Sequence, residues 1–270
     1  MHPNLNETVF ENLNLAWMLI KRDLKNRYAS SYAGMAWNIV VPLLNAIIYV
    51  IVFSILMKGR MGTYYSDIPF ALFYFVPFSL WTVFADVVGR SPGILKEYGY
   101  LINKIAFPSW ILPLVPFGSA LLSQAIILAI ISGLIVYLDV PLADTSGMYI
   151  VVWLITLMIT LGFAYAVSSL SVYLPDLAQI VPICITILFW MTPILYPATL
   201  VEEHAALLAR SIIMDFNPFY YIVESSRHAV FGSAVISWQV LSATGVVAIL
   251  ILTLGYYIFR KLQPGFADII

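Results

Sequence analysis

Charge is missing from this chain over several long stretches. No Asp, Glu, Lys or Arg occurs from Tyr28 to Met57, from Ile105 to Leu138, or from Thr145 to Pro175. A helix crosses bilayer hydrocarbon with about 20 apolar residues, and each stretch supplies them. Composition agrees: 62% of the 270 residues are hydrophobic and 10% charged. Soluble domains run near 45–50% apolar and about 25% charged, so a water-soluble fold would expose far too much apolar surface. The expectation is an all-α integral membrane protein.

Punctuated by charge, the sequence divides into six spans, about 35–57, 70–89, 112–137, 148–172, 179–197 and 236–259, in a single transmembrane domain covering 1–270. Pro42 and Asn45 in the first are tolerable where neighbouring helices satisfy the freed groups. Before the first span, residues 13–28 read as an amphipathic interface helix. Leu13, Trp17, Ile20, Leu24 and Tyr28 share one face, with Arg22, Lys25 and Asn26 facing away. Residues 198–234 are too apolar for an exposed loop and too charged for a span. They read as two short re-entrant helices broken at Asn217-Pro218. The N-terminal MHPNLNETVFEN lacks the basic region and apolar core of a signal peptide.

Lys/Arg counting sets the orientation. With the N-terminus in the cytoplasm, Lys21, Arg22, Lys25, Arg27, Arg90, Lys96, Lys104, Arg260 and Lys261 lie inside. Lys58, Arg60, Arg210 and Arg227 lie outside. Both termini are then cytoplasmic, and 198–234 faces outward. The segment RSPGILKEYGYLINKIAFP, 90–108, becomes a short basic cytoplasmic loop: either a connector or a place where a partner grips the protein.

Motifs for chemistry are absent. There is no GxxxxGK[ST], HExxH or GxSxG, so the chain has no P-loop for ATP and no recognisable catalytic centre. Net charge is −1 and the one cysteine, Cys184, sits in an apolar run. Nucleic-acid binding, a disulfide framework and a Cys/His metal site are not indicated. Intramembrane charge is sparse. Asp86 stands four residues before Arg90, a spacing that lets them pair on one helix face. Glu224 and Arg227 either pair locally or guard an outer gate. Aromatics surround the 70–84 helix, where rings pack in protein or lipid, or stack on sugar faces.

The segments KRDLKNRYASSYAGMAWNIVVPL, GILKEYGYLINKIAFPSWILPL, YLPDLAQIVPI with FWMTPILYP, FNPFYYIVESSRHAVFG and RKLQPGFADII follow one another in an order that resembles the ABC-2 type permeases. Specifically, it resembles the membrane subunits of O-antigen, teichoic acid and capsular polysaccharide exporters, over essentially the whole chain. The resemblance implies the ABC-2 exporter fold, a homodimer, and a separate ABC nucleotide-binding subunit that carries ATP and Mg. No cofactor is implied in this chain. It implies a lipid-linked polysaccharide moving between protomers across the bacterial inner membrane, and a non-enzymatic role. The 90–108 segment becomes the ATPase coupling site, with Lys96, Glu97, Tyr98, Tyr100 and Lys104. The turn at Asp176 is a second contact, where Pro175-Asp176 departs from the Arg-Asp of many relatives.

Under the same resemblance, Trp17, Arg22, Lys25 and Arg27 of the interface helix meet membrane lipid or the substrate head group. Tyr49, Phe53, Phe73, Trp81, Phe189 and Trp190 line the channel, and Glu224 and Arg227 belong to the outer gate. A multidrug or small-molecule ABC-2 permease would share this fold. An ATP-independent channel or a membrane enzyme is the reading from another class.

Overall fold

The computed structural model describes residues 5–27, 68–103, 107–232 and 238–270, with isolated positions between 36 and 52. Among the described residues the protein is all-helical. The main helices are α1 (Leu5–Arg27), α2 (Phe70–Glu97), α3 (Gly99–Ile102), α4 (Leu114–Tyr137), α5 (Met148–Tyr173) and α6 (Leu177–Met191). Then come α7 (Ala198–His204), α8 (Leu207–Arg210), α9 (Pro218–Phe231), α10 (Trp238–Leu262) and α11 (Phe266–Ile269). Short 3-10 turns precede α4 and α11, and a π turn joins α8 to the Asn217 cap. Among the described residues four helical segments are long and apolar enough to cross a membrane: Phe70–Glu97, Ser109–Tyr137, Met148–Tyr173 and Trp238–Ile269. The expected first span lies mostly outside the described residues.

α1 starts at Leu5, ahead of the expected 13–28 helix, and three further boundaries differ from the sequence reading. The expected fifth span, 179–197, is a helix of only 15 residues ending at Met191. Thr192 precedes Pro193, whose ring pushes the preceding residue out of the helical region, and Thr192 is extended at φ −103, ψ 131. The expected loop from Arg90 is helical as far as Glu97. Pro92 stands inside that helix, and its carbonyl accepts from the Ser171 hydroxyl at 2.8 Å. The 198–234 segment breaks at Asn217-Pro218, as read, and again at Ala205–Ala206.

α5 runs through the middle of the bundle, against α10 on one side and α2 on the other. Its crossing with α10 is backbone-close. A methyl at Gly162 would stand 2.6 Å from the Ile251 carbonyl, and one at Gly255 would overlap the Gly162 backbone. Such close approach is what small residues permit between membrane helices. One end of the bundle collects Leu19 of α1, Leu95 of α2 and Tyr98 just after α2, Val172 of α5, Phe259 of α10 and Phe266 of α11 in one apolar cluster. The N-terminal helix, the 90–103 segment and the C-terminal tail therefore share an end. The tail docks there: Phe266 is fully buried, and Ile270 fills the space a Gly99 side chain would need.

Candidate coupling site and buried charge hubs

Asp23 is the one acid in the basic run KRDLKNR, and it organises the shared end. It is 3% exposed and takes both Nη groups of Arg90 and the Ser119 hydroxyl, the latter at 2.5 Å. Arg27 stands one turn on and pairs with Asp86 at 2.6 Å. The local Asp86–Arg90 pairing suggested by spacing is thus replaced by two pairs reaching from α1, which bring alternating charges together. Burial raises the Asp23 pKa, but hydrogen bonds from Arg90 and Ser119 and the charges of Arg90 and Arg27 outweigh it and hold the carboxyl below its ordinary value.

α1 leaves Leu13 and Trp17 of its expected interfacial face outward and packs a second face on the protomer. Ala16, Leu19 and Asp23 face the protomer, while Leu13, Trp17 and Met18 are exposed on the outside. The exposed apolar set suits a bilayer surface, and Lys25 is exposed beside it. Arg22 turns toward the 98–100 segment. It donates to the Tyr100 hydroxyl at 2.5 Å, and its guanidinium lies 5.7 and 5.6 Å from the ring centroids of Tyr98 and Tyr100. Those are cation–π distances. The interface helix and the expected coupling segment thus form one packed unit.

Within that segment Lys96, Glu97 and Tyr100 are exposed and Tyr98 is buried at 1%. Burial, with the negative charges of Glu97 and Asp23, pushes the Tyr98 phenol up to about 12, so it stays neutral and apolar in behaviour. Lys104 lies outside the described residues. Asp176 is exposed at the start of α6. It follows α5, whose Ser171 bond to Pro92 fixes that end against α2.

A second hub sits toward the opposite end. Glu224 and Arg227 are both wholly buried and pair at 2.6 Å. Pro77 has no N–H for the Phe73 carbonyl one turn back in α2. Arg227 Nε donates to that carbonyl at 3.3 Å, and Nη2 donates to Ile194 O at 2.8 Å. The guanidinium also lies 3.6 Å from the Phe73 ring centroid. Asn217 caps α9 through Phe219 N at 3.0 Å, and its amide donates to Thr192 Oγ1 at 2.9 Å. Together these bonds fasten α9 to α2 and to the irregular chain after α6.

Of the expected channel residues, Phe73 and Trp81 are buried in the protomer core. Trp81 packs between Phe189 and Phe219. Phe189 is half-buried and Trp190 is exposed, while Tyr49 and Phe53 lie outside the described residues. Sequence reasoning missed Asp23 and Ser119. The signal for Asp23 was a lone acid within the basic run KRDLKNR.

Residues 14–231 match the family model of the ABC-2 type transporter. An O-antigen export system permease protein RfbA of Myxococcus xanthus is 27% identical over 265 residues, covering 96% of both chains. One from Klebsiella pneumoniae is 28% identical over 261 residues, 95% of each. The polysialic acid transport protein KpsM of Escherichia coli is 19% identical over 257 residues, 92% of this chain and 93% of that one. A helical membrane architecture, end-to-end similarity to these permeases and the family match lead to one conclusion: the chain belongs to the ABC-2 type transporter family.

Proposed function

We propose that the chain is the permease subunit of an ATP-driven exporter of lipid-linked polysaccharide, O-antigen being the best-supported cargo, in a bacterial inner membrane. The observation that carries this reading is the similarity to O-antigen export permeases over 95–96% of both lengths. The absence of a P-loop from the sequence fits a subunit whose ATP and Mg are held by a separate ABC subunit.

In this reading the protein is a homodimer with six spans per protomer and cytoplasmic termini, and 198–231 dips into the outer boundary. The partner grips Lys96, Glu97, Tyr100 and Lys104, with Asp176 as a smaller contact. A push on that segment passes through Arg22 and the Asp23–Arg90 pair into α1, and through α2 to the Arg227 hub. Biasing one of two helix arrangements by partner contacts is all that coupling requires.

The test is reconstitution of the permease with its ATPase in vesicles. ATP hydrolysis should rise with lipid-linked glycan and not with amphipathic drugs. Stimulation by drugs alone would move the assignment to a small-molecule permease. Transport by the chain without any ATPase would refute it.

A further inference from the structure

Between α1, α2 and α4 lies a cavity of about 270 Å³ that borders the Asp23 hub through Arg27 and Asp86. Gln124 of α4 lines it and is 1% exposed, yet among the described residues neither its amide nitrogen nor its oxygen has a hydrogen-bond partner. A buried carboxamide with no partner is destabilising by about 1–3 kcal/mol per group, so its presence needs a ligand or water. The other polar lining is specific. Ser123 and Thr82 give their protons to Ser119 O and Ser79 O, at 3.3 and 2.8 Å, and keep lone pairs for the cavity. Asp86 and Arg27 also line it and neutralise each other at 2.6 Å. Trp37 supplies an aromatic wall.

This set has donors, several acceptors, no net charge and one aromatic. It suits a group in which every hydroxyl both gives and accepts a hydrogen bond, with C–H faces for the indole. It does not suit a phosphate, which would meet the carboxylate and the lone pairs of two hydroxyls. The volume falls just below the roughly 300 Å³ at which drug-sized pockets begin, enough for one ring. We infer that this cavity is a binding site for a single uncharged sugar ring, held by Gln124 and located within each protomer. The inference rests on the polysaccharide-export reading.

The assembled transporter is placed in phosphatidylethanolamine/phosphatidylglycerol nanodiscs. Saturation-transfer NMR is recorded with the monosaccharides released by acid hydrolysis from the host's own surface polysaccharide, and separately with glycerol 1-phosphate. At least one neutral sugar should receive saturation, and Gln124→Leu should weaken its binding by about tenfold or more, the loss of one good polar partner. Gln124→Leu replaces an unpartnered amide with an apolar group of similar size, so its melting temperature should equal or exceed wild type. Its surface-glycan export should nonetheless fall. A purely structural glutamine would give the reverse pairing. Absence of Gln124-dependent sugar binding, binding of glycerol 1-phosphate in its place, or full export by Gln124→Leu would each overturn the site. Export by Gln124→Leu at the wild-type level leaves the exporter reading standing. Unchanged surface glycan on deleting the whole gene removes that reading separately.

Discussion

Replacing Arg227 by Met tests whether the buried hub holds α9 in place. The side chain is fully buried, with bonds of 2.6 Å to Glu224, 2.8 Å to Ile194 O and 3.3 Å to Phe73 O. Hydrogen bonds to charged groups contribute about 1.5–3 kcal/mol each. Simple addition overshoots, because removing the cation also removes its desolvation penalty. Breaking a buried pair from one side typically costs about 3–5 kcal/mol. We expect Arg227→Met to destabilise by about 4 kcal/mol, close to three decades in the unfolding constant. The double variant Glu224→Gln/Arg227→Met should recover about 2 kcal/mol, since it leaves no carboxylate facing the lost cation.

Pro77→Ala sharpens the test. It restores an N–H one turn from the Phe73 carbonyl, so it should help the Arg227→Met protein more than the wild type, by about 1 kcal/mol or more of coupling. The assay is reversible unfolding in mixed micelles, followed by tryptophan fluorescence. An Arg227→Met protein within about 1 kcal/mol of wild type, or strict additivity with Pro77→Ala, would refute the argument.

Other expectations follow from the same contacts. Gly255→Val drives a side chain into the Gly162 backbone and should lower stability by about 3 kcal/mol or block assembly; Gly93→Ala, with nothing within 4 Å of the new carbon, should be neutral or stabilising by about 0.5–1 kcal/mol, and melting curves of the pair check both. Asp23 has a lowered pKa in the fold, so its contribution is complete at neutral pH and disappears as pH falls through and below about 4; the melting temperature of wild type should fall more steeply between pH 5 and 3 than that of Asp23→Asn. Reversing both Lys96 and Lys104 to Glu should uncouple ATP hydrolysis from export while the protein still inserts, as judged by vesicle transport and membrane fractionation. Arg22→Ala, which loses the Tyr100 bond and two ring contacts, should reduce coupling several-fold with little change in expression.

The long apolar helices were legible because lipid imposes length and forbids charge: α4, α5 and α10 stand where their charge-free runs do. The start of α9 was legible from Asn217-Pro218, a cap and a first-turn proline written side by side. What escaped was set by distant partners. Charge resuming at Arg90 looked like the end of a span, yet the guanidinium is carried within α2 because Asp23, 67 residues earlier, receives it. Likewise periodicity gave α1 an interfacial face with Trp17, which is exposed, but nothing local showed that the Asp23 side would turn inward. Rings all round the 70–84 stretch were compatible with a channel wall. Trp81 became core because Phe189 and Phe219 come from other helices to meet it.

The docking of the tail has a consequence for biogenesis. Gln263 reaches Ser109 across 154 residues of chain, at 2.9 Å, and Ile270 closes over Gly99 just beyond. At about 5–20 residues per second of synthesis, the 99–109 region waits on the order of 8–30 s for the surface that completes it. The segment proposed to face the partner thus matures late, although its own residues emerge early. A chain stalled before Gln263 would reach the membrane with that segment unfinished, and assembly with the proposed ATPase subunit would favour chains that carry the docked tail.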